Sequence, residues 1–288
     1  MCGIVGFTGK NNASGFLLDG LERLEYRGYD SAGIAVLKDG EIRTVKTVKR
    51  ISDLRDKTNN GDGICGKVGI GHTRWATHGI PSFENAHPHL SADGRFAVVH
   101  NGIIENYAAL RAELISEGVN FASETDSEVV PQLLAKYYNG DLLDTVAKTV
   151  ARLEGSYALG IICADLPGTL VAVRKFSPLI IGISDDANYI ASDVTAIVSS
   201  TRDIVYLEDK EIAFLTPDGV KIFDSDKNPV DCKISHIDWN VEAAEKGGYN
   251  HFMMKEIVEQ PNAVSQTVES RIHGRDIVFD GLKLTAEK

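Results

Sequence analysis

Apolar and polar positions along the first fifty residues predict a strand, a helix and a hairpin. Residues 2–8 form a short apolar stretch, partly β-branched, which is typical of a buried strand. The dipeptide Asp39-Gly40 separates two strand-like segments, 32–37 and 41–49, and Asp-Gly is a strong hairpin signal. A helix that stops by Gly28 is expected before the hairpin. Its apolar face consists of Ala13, Phe16, Leu17, Leu21 and Leu24.

Strands precede and follow a block of helices in the rest of the chain. Two strands are expected near residues 67–73 and 95–101, and residues 156–238 are mostly short strands separated by turns. Three helices are expected in between, and one of them contains Pro131. We expect that helix to start near Ser127, because a proline in the first turn removes no helical hydrogen bond. This order predicts an α+β layered sandwich with largely antiparallel sheets.

Composition narrows the classes of partner. The chain has 288 residues, of which 43% are hydrophobic and 25% charged, as in ordinary globular proteins. Asp and Glu total 41 against 30 Lys and Arg, which gives a net charge of −11. A surface this acidic repels phosphate backbones and anionic lipids, so neither nucleic acid nor a membrane is expected as a partner.

The sequence also indicates a compartment. It contains no apolar stretch long enough for a membrane-spanning helix, and its first residues lack the features of a secretory signal. The four cysteines, at positions 2, 65, 163 and 232, form no C-x-x-C pair and indicate neither a zinc ribbon nor a disulfide framework. We therefore expect a cytoplasmic location.

The composition of the sequence changes near residue 240. Residues 242–248 (EAAEKGG) are typical of a linker. The segment that follows predicts a helix with too few apolar positions around it to complete a core. We therefore expect one domain at 1–240, and at 241–288 a linker and the start of a second domain that is otherwise absent.

Cys2 occupies a position with special chemistry. If Met1 is removed, a thiol and a free α-amine share one residue, with pKa values of about 8.5 and about 8. The amine can then take the thiol proton without a histidine, which no interior residue can reproduce. Taken alone, however, the position also fits an inert buried cysteine.

Six segments of the chain form a recognisable series: 2–6 (CGIVG), 25–33 (EYRGYDSAG), 72–79 (HTRWATHG), 85–89 (NAHPH), 100–106 (HNGIIEN) and 123–126 (SETD). In order and nearly in spacing, they resemble the glutaminase domain of the glutamine–fructose-6-phosphate aminotransferases. The resemblance covers about residues 2–240, and residues 249–261 resemble the entry into that family's sugar-isomerase half. It implies a class II glutamine amidotransferase with an N-terminal nucleophile (Ntn) hydrolase fold of four αββα layers.

The resemblance implies a pocket for glutamine. In it Arg74 grips the substrate α-carboxylate, Thr77 and His78 add hydrogen bonds, and Asp126 pairs with the α-ammonium. The residue types suit these roles, because an arginine fork matches a carboxylate and an aspartate matches an ammonium. Taken without the resemblance, Arg74 and Asp126 fit a surface ion pair better, with Asp126 capping a helix.

The resemblance also implies the reacting groups. Cys2 is the nucleophile, and Asn101 and Gly102 form the oxyanion hole, for which a side-chain amide beside a glycine N–H is suitable. The alternative is an ordinary turn, since Asn-Gly is a common hairpin dipeptide. By resemblance Trp75 gates the passage of ammonia, and Arg27 shapes the site near Cys2.

Four histidines, at positions 72, 78, 87 and 89, raise the question of a metal site. No acidic or cysteine residues accompany them at metal-ligand spacing, and the resembling family needs no metal. We therefore expect neither a metal nor another cofactor.

By resemblance the substrate is L-glutamine, hydrolysed to glutamate and ammonia through a Cys2 thioester. In the longer enzyme the ammonia converts fructose 6-phosphate to glucosamine 6-phosphate, a step of hexosamine biosynthesis. The family's dimer contacts lie largely in the isomerase domains, so a monomer is expected for this chain and a dimer for the longer protein. Two alternatives stay open: an amidotransferase with another acceptor, such as phosphoribosyl pyrophosphate or aspartate, and a non-catalytic glutamine-binding subunit.

Overall fold

The computed structural model divides the chain into two compact units, Met1–Asp238 and Trp239–Lys288. No helix in the described part of the chain is both long and apolar enough to cross a membrane. The described residues are 2–76, 79–238, 248–249, 251–269, 271–273 and 276–277.

The first unit contains five α-helices and fifteen strands within its described residues. The helices are α1 (Ala13–Leu24), α2 (Ile51–Lys57), α3 (Tyr107–Ser116), α4 (Val129–Tyr137) and α5 (Leu142–Arg152). The strands are β1 (Gly3–Gly9), β2 (Ser31–Lys38), β3 (Glu41–Thr47), β4 (Val68–Arg74), β5 (His89–Leu90), β6 (Phe96–Ile104), β7 (Gly155–Cys163), β8 (Leu170–Lys175), β9 (Ile180–Ile183), β10 (Ala187–Ala191), β11 (Asp203–Tyr206), β12 (Ile212–Thr216), β13 (Gly219–Phe223), β14 (Pro229–Val230) and β15 (Ser235–His236).

Two antiparallel sheets form the centre of this unit. The first has the order β15-β11-β9-β10-β1-β4-β2-β3 and the second the order β14-β13-β12-β8-β7-β6-β5. Helix α1 packs on β1 and β4 of the first sheet, whereas α4 and α5 contact β6 and β12 of the second. The helix layers therefore cover the outer faces of the two sheets, and the predicted α+β sandwich of four αββα layers is confirmed.

Strand β6 shows how the two sheets share the core. Its Ala97 and Val99 belong to the cluster between the sheets, whereas Phe96 and Val98 belong to the cluster under the helices. Successive side chains of a strand point to opposite faces, so a strand buried on both faces must be apolar throughout. This explains why the central strands appear in the sequence as continuous apolar runs.

The predicted elements of the first fifty residues are present. Strand β1 is buried at every position. The side chain of Asn12 accepts a hydrogen bond from the backbone of Ser14 and so caps α1. Asp39 and Gly40 both have positive φ, 53° and 78°, as the two central residues of a type I′ hairpin turn require.

The helix that contains Pro131 begins two residues later than predicted. Helix α4 starts at Val129, and Glu128 is its N-cap residue. Pro131 therefore lies in the first turn, where its missing N–H removes no intrahelical hydrogen bond. Asp126 lies outside the helix and does not cap it.

The second unit contains one described helix, α6 (Phe252–Glu269), which includes Pro261. A two-stranded antiparallel ladder follows, made of β16 (Ile272–His273) and β17 (Asp276–Ile277). The linker predicted at 242–248 lies outside the described residues except for Gly248.

Candidate active site

Cys2 lies at one edge of the first sheet, immediately before β1. Gly3 pairs with Thr73 of β4, so the start of β1 and the end of β4 meet at this edge. The backbone N–H of Trp75, just beyond β4, donates to Sγ of Cys2 over 3.2 Å. The sheet register therefore brings residue 2 against residues 74–76.

The environment of the thiol favours its protonated form. Burial raises the pKa of Cys2, the N–H of Trp75 lowers it by a smaller amount, and the carboxylate of Asp30 adds to the increase. The thiolate is therefore scarce near neutral pH, and a reaction at this sulfur requires a base to take the proton.

Asn101 points its amide nitrogen toward the backbone of Cys2. Its Nδ2 donates to the carbonyl oxygen of Cys2 over 3.2 Å. Its Oδ1 lies 3.0 Å from Nε2 of His72, a buried residue on β4. The donor end of the amide thus lies on the side of Cys2, as an oxyanion hole requires.

Gly102 occupies a position that only glycine fits. Its φ is +129°, and a Cβ there would lie 2.1 Å from the carbonyl oxygen of Ser156 on the neighbouring strand β7. The Asn-Gly pair is not a hairpin turn, because both residues lie within β6 and pair with Ala158 and Tyr157. A glycine is needed here for close backbone approach.

Arg74 is the last residue of β4 and is 4% exposed. Its Nη2 donates to the carbonyl oxygen of Gly79 over 3.1 Å, and its Nη1 donates to that of Ile80 over 3.4 Å. The guanidinium therefore braces the loop that follows β4. A surface position is excluded by its burial.

Asp126 is likewise 4% exposed. Its Oδ2 accepts the backbone N–H of Ile104 over 2.8 Å, at the end of the strand that carries Asn101. The hydroxyl of Ser127 donates to its other oxygen over 3.4 Å. This contact joins the segment 123–126 to the end of β6, so the surface ion pair and the helix cap are both wrong for Asp126.

Trp75 is 48% exposed beside the thiol. Its ring meets that of Tyr29 edge to face, with 5.5 Å between the ring centroids. A Cβ on Gly28 would lie 2.9 Å from the backbone of Arg74. The absence of this Cβ therefore lets the segment around residue 28 approach the end of β4. The half-exposed indole thus packs on Tyr29, next to the backbone that contacts the thiol.

Arg27 is oriented by a carboxylate distant in sequence. Its Nη2 forms an ion pair with Asp193, and its Nε donates to the hydroxyl of Tyr26 over 2.9 Å. The preceding Ser192 accepts the backbone N–H of Ile4 through its hydroxyl over 3.0 Å. These contacts tie the end of β10, β1 and the Arg27 segment together. Thr77 and His78, also predicted to bind substrate, lie outside the described residues.

Four buried histidines, at positions 72, 87, 89 and 100, lie behind the site. Burial lowers the pKa of His72 to about 3 and the pKa values of the other three as well, so the rings are neutral. Within the described residues, no group of three or more histidine, cysteine or carboxylate side chains has the arrangement of a metal site.

Sequence reasoning missed two residues that shape this site. Asp30 accepts the backbone N–H of Ala76, and its own N–H donates to the carbonyl oxygen of Arg74 over 3.2 Å, so it orders the loop next to the thiol. Asp193 holds Arg27. Both lie within residues 2–240, the part of the chain that the resemblance covers, but neither position has a local pattern that indicates its partner.

Comparison with known proteins identifies the family. A family model described as a glutamine amidotransferase domain matches residues 72–199. The chain is 54% identical to the glutamine–fructose-6-phosphate aminotransferase [isomerizing] of Clostridium acetobutylicum, over 100% of this chain and 47% of that protein. It is 50% identical to the protein of that name from Aquifex aeolicus, over 98% of this chain and 48% of the relative. The chain thus spans about half the length of the curated relatives it matches.

Two solved structures are also similar to this chain. The glutamine phosphoribosylpyrophosphate amidotransferase from B. subtilis, complexed with ADP and GMP, matches with a TM-score of 0.69 and 28% identity, over 79% of this chain and 50% of that one. A glutamine aminotransferase class-II domain protein from Silicibacter pomeroyi matches with a TM-score of 0.54 and 17% identity, over 77% and 99%, which shows the fold alone. The chain therefore belongs to the class II glutamine amidotransferases and corresponds to the glutaminase domain of the glutamine–fructose-6-phosphate aminotransferases.

Proposed function

We propose that this chain hydrolyses L-glutamine to L-glutamate and ammonia, with Cys2 as the nucleophile after removal of Met1. One observation carries the proposal: the Cys2 thiol, the Asn101 amide and the buried Arg74 are held together by the ends of β1, β6 and β4. A nucleophile, an oxyanion donor and a carboxylate-binding cation are the groups that hydrolysis of this amide requires.

The proposed binding step uses the two ends of the amino acid. Arg74 takes the α-carboxylate and Asp126 the α-ammonium, while Thr77 and His78 add hydrogen bonds and Arg27 shapes the site. Burial of Arg74 and Asp126 supports these roles, since an ion pair with substrate is stronger when water is excluded. Trp75, whose backbone N–H contacts the thiol, gates the departure of ammonia.

The proposed reaction begins with a proton transfer. The α-amine of Cys2 takes the thiol proton, and the sulfur attacks the side-chain carbonyl carbon, moving the π electrons onto oxygen. Asn101 and Gly102 donate to this oxyanion. The C–N bond then breaks while the α-ammonium returns its proton to the leaving nitrogen, which releases ammonia and leaves a thioester. Water hydrolyses the thioester, which frees glutamate and restores the thiol.

Substitution of the nucleophile tests the proposal. Cys2→Ala abolishes glutamate formation, whereas Cys65→Ala, at another partly exposed free cysteine, keeps the wild-type rate. Intact mass after treatment with a glutamine-like electrophile reports removal of Met1 and labelling of Cys2 together. Near wild-type hydrolysis by Cys2→Ala, or hydrolysis by a chain that keeps Met1, contradicts the mechanism.

The role in the longer protein is a further part of the proposal. We infer that residues 1–240 form the glutaminase domain and that 241–288 begin a sugar-isomerase domain, whose remainder accepts the ammonia on fructose 6-phosphate. The identity to fructose-6-phosphate aminotransferases along the whole chain supports this acceptor over phosphoribosyl pyrophosphate. A cytoplasmic location fits the four free cysteines.

Product analysis separates the two halves of the function. The chain alone forms glutamate from glutamine but no glucosamine 6-phosphate from added fructose 6-phosphate, whereas the longer protein forms both. Light scattering gives a monomer for the chain alone. Aminosugar formation by the chain alone contradicts the assignment of the acceptor site to the sugar-isomerase half, and absence of ammonia release favours a glutamine-binding subunit.

A further inference from the structure

His72 lies where it determines the orientation of the oxyanion amide. Its Nε2 is 3.0 Å from Oδ1 of Asn101 and 3.0 Å from the carbonyl oxygen of His100. Both oxygens are acceptors, so Nε2 carries the ring proton and donates to them. Burial keeps the imidazole neutral, and its Nδ1 has no hydrogen-bond partner among the described residues.

An asparagine amide has two orientations of nearly equal shape, related by a half turn about its last side-chain bond. With Oδ1 on His72, Nδ2 faces Cys2 and donates to its carbonyl oxygen. The opposite orientation places two acceptors together at Cys2 and two donors together at His72. One N–H of His72 therefore determines which end of the amide faces the reacting carbon.

The imidazole is itself held in place by its neighbours. Its ring lies 4.2 Å from that of His87, which in turn lies 4.5 Å from that of His89. Nε2 of His89 is 3.0 Å from the hydroxyl of Thr125, in the segment that carries Asp126. His72 is 1% exposed, so the ring does not reach substrate directly.

We propose that His72 is a positioning residue, which holds the Asn101 amide with its N–H directed at the oxyanion that forms on glutamine. This inference rests on the proposed glutaminase function. It assigns His72 no proton transfer and no contact with substrate.

A matched pair of substitutions tests the donor and leaves side-chain length unchanged. In His72→Gln the side-chain NH₂ takes the place of Nε2–H, whereas His72→Met has similar length and no donor. We expect His72→Met to lower kcat for glutamine hydrolysis by about 10²-fold, close to the loss on removal of an oxyanion donor. His72→Gln recovers most of this loss, and KM changes by less than about threefold in both.

A double-mutant cycle separates positioning from packing. If His72 acts through Asn101, His72→Met combined with Asn101→Ala loses no more activity than Asn101→Ala alone. The proposal is overturned if the double variant loses activity by the product of the two single losses. It is also overturned if His72→Gln and His72→Met lose equal activity, or if His72→Met keeps the wild-type kcat. If His72→Met does not fold, judged by its urea unfolding, His72→Gln decides: a loss as large as that of Asn101→Ala overturns the proposal, and near wild-type kcat supports it.

The same assays keep this inference distinct from the proposed function. Glutamine hydrolysis by the wild-type chain and its loss in Cys2→Ala establish the function, whatever the His72 variants do. Alkylation of Cys2 by iodoacetamide at an unchanged rate in His72→Met shows that the thiol is intact and that the loss lies in the oxyanion step.

Discussion

At the scale of the residue, the Cys2 thiol combines partial exposure with an unfavourable environment for its anion. The N–H of Trp75 donates to the sulfur, but burial has the larger effect and raises the pKa of the thiol. The proposed mechanism therefore depends on the N-terminal amine as a base, because the thiol stays protonated at neutral pH without one.

The raised pKa gives a direct prediction for thiol reactivity. In a chain with an N-terminal extension, where the amine is absent from residue 2, the rate of Cys2 alkylation by iodoacetamide rises with pH with a midpoint above about 8.5. A short unfolded peptide with the same first residues has its midpoint near the ordinary value. Mass spectrometry of the quenched samples measures both, and a midpoint at or below that of the peptide contradicts the prediction.

Arg74 gives a prediction about binding. Arg74→Lys keeps the positive charge but loses the planar fork, so we expect KM for glutamine to rise about 10- to 100-fold with a smaller change in kcat. Arg43→Lys, an exposed arginine paired with Glu41 on β3, is the matched control and keeps wild-type kinetics. Initial rates of glutamate formation measure KM and kcat for both variants. An unchanged KM in Arg74→Lys contradicts a role of Arg74 in binding the substrate.

At the scale of the element, three strand ends build the site. Strand β1 begins at it, β4 ends at it, and β6 carries Asn101 and Gly102 into it. The loops are then fastened by long-range carboxylates: Asp30 holds the backbone after β4, and Asp193 holds Arg27. Rigid strands fix the positions of the candidate site residues, and the side chains of Asp30 and Asp193 order the connections between the strands.

Two glycines with positive φ make a matched test of the β6 geometry. Gly102→Ala places a Cβ against the Ser156 carbonyl, so we expect it to lower the free energy of unfolding by about 3 kcal/mol or more. Gly94 also has a positive φ, but a Cβ there meets open space. Gly94→Ala therefore loses only the conformational term, about 1 kcal/mol of the free energy of unfolding. Urea denaturation compares them, and equal losses contradict the close approach at Gly102.

At the scale of the whole molecule, apolar clusters and a polar cluster share the interior of the part of the first unit that the structure describes. The apolar clusters fill the space between the sheets and the space under α3 to α5. The polar cluster consists of the four buried histidines behind Asn101. Both ring nitrogens of His87 lack a hydrogen-bond partner within the described residues. Neutral imidazoles tolerate this burial far better than imidazolium ions do.

The histidine cluster makes stability depend on pH. The folded-state pKa of His72 is about 3, and that of His87 is also lowered, against about 6.5 in the unfolded chain. The unfolded state thus binds more protons, so stability is full above pH 6.5 and falls as the pH drops below it. We expect a loss of up to about 1.4 kcal/mol per pH unit per histidine.

Urea unfolding at pH 7, 6 and 5 measures this loss. His87→Phe removes one titrating ring that has no described hydrogen bond to lose, so its stability falls less steeply between pH 7 and 5 than that of the wild type. Parallel curves for the two proteins contradict the assignment of the proton uptake to this cluster.

Local patterns were enough for most of the elements and for the family. The Asp39-Gly40 hairpin, the apolar face of α1 and the continuous apolar strands follow from neighbours in sequence, and the structure confirms them. The segments that resemble the glutaminase domain predicted the family, which the comparisons confirm. The roles of the site residues and the domain boundaries stay predictions.

The sequence by itself predicted most of the strands and helices and the α+β class, because residue type and short-range spacing carry that information. Its resemblance to the glutaminase family, rather than spacing, made Cys2, Arg74, Asn101 and Asp126 candidates. Only the tertiary structure decided which atoms of these residues meet. His72 and Asn101 are 29 positions apart, and Arg27 and Asp193 are 166 apart. Such pairs form when sheet register and close packing bring distant backbone together, and no local preference of either residue specifies its partner.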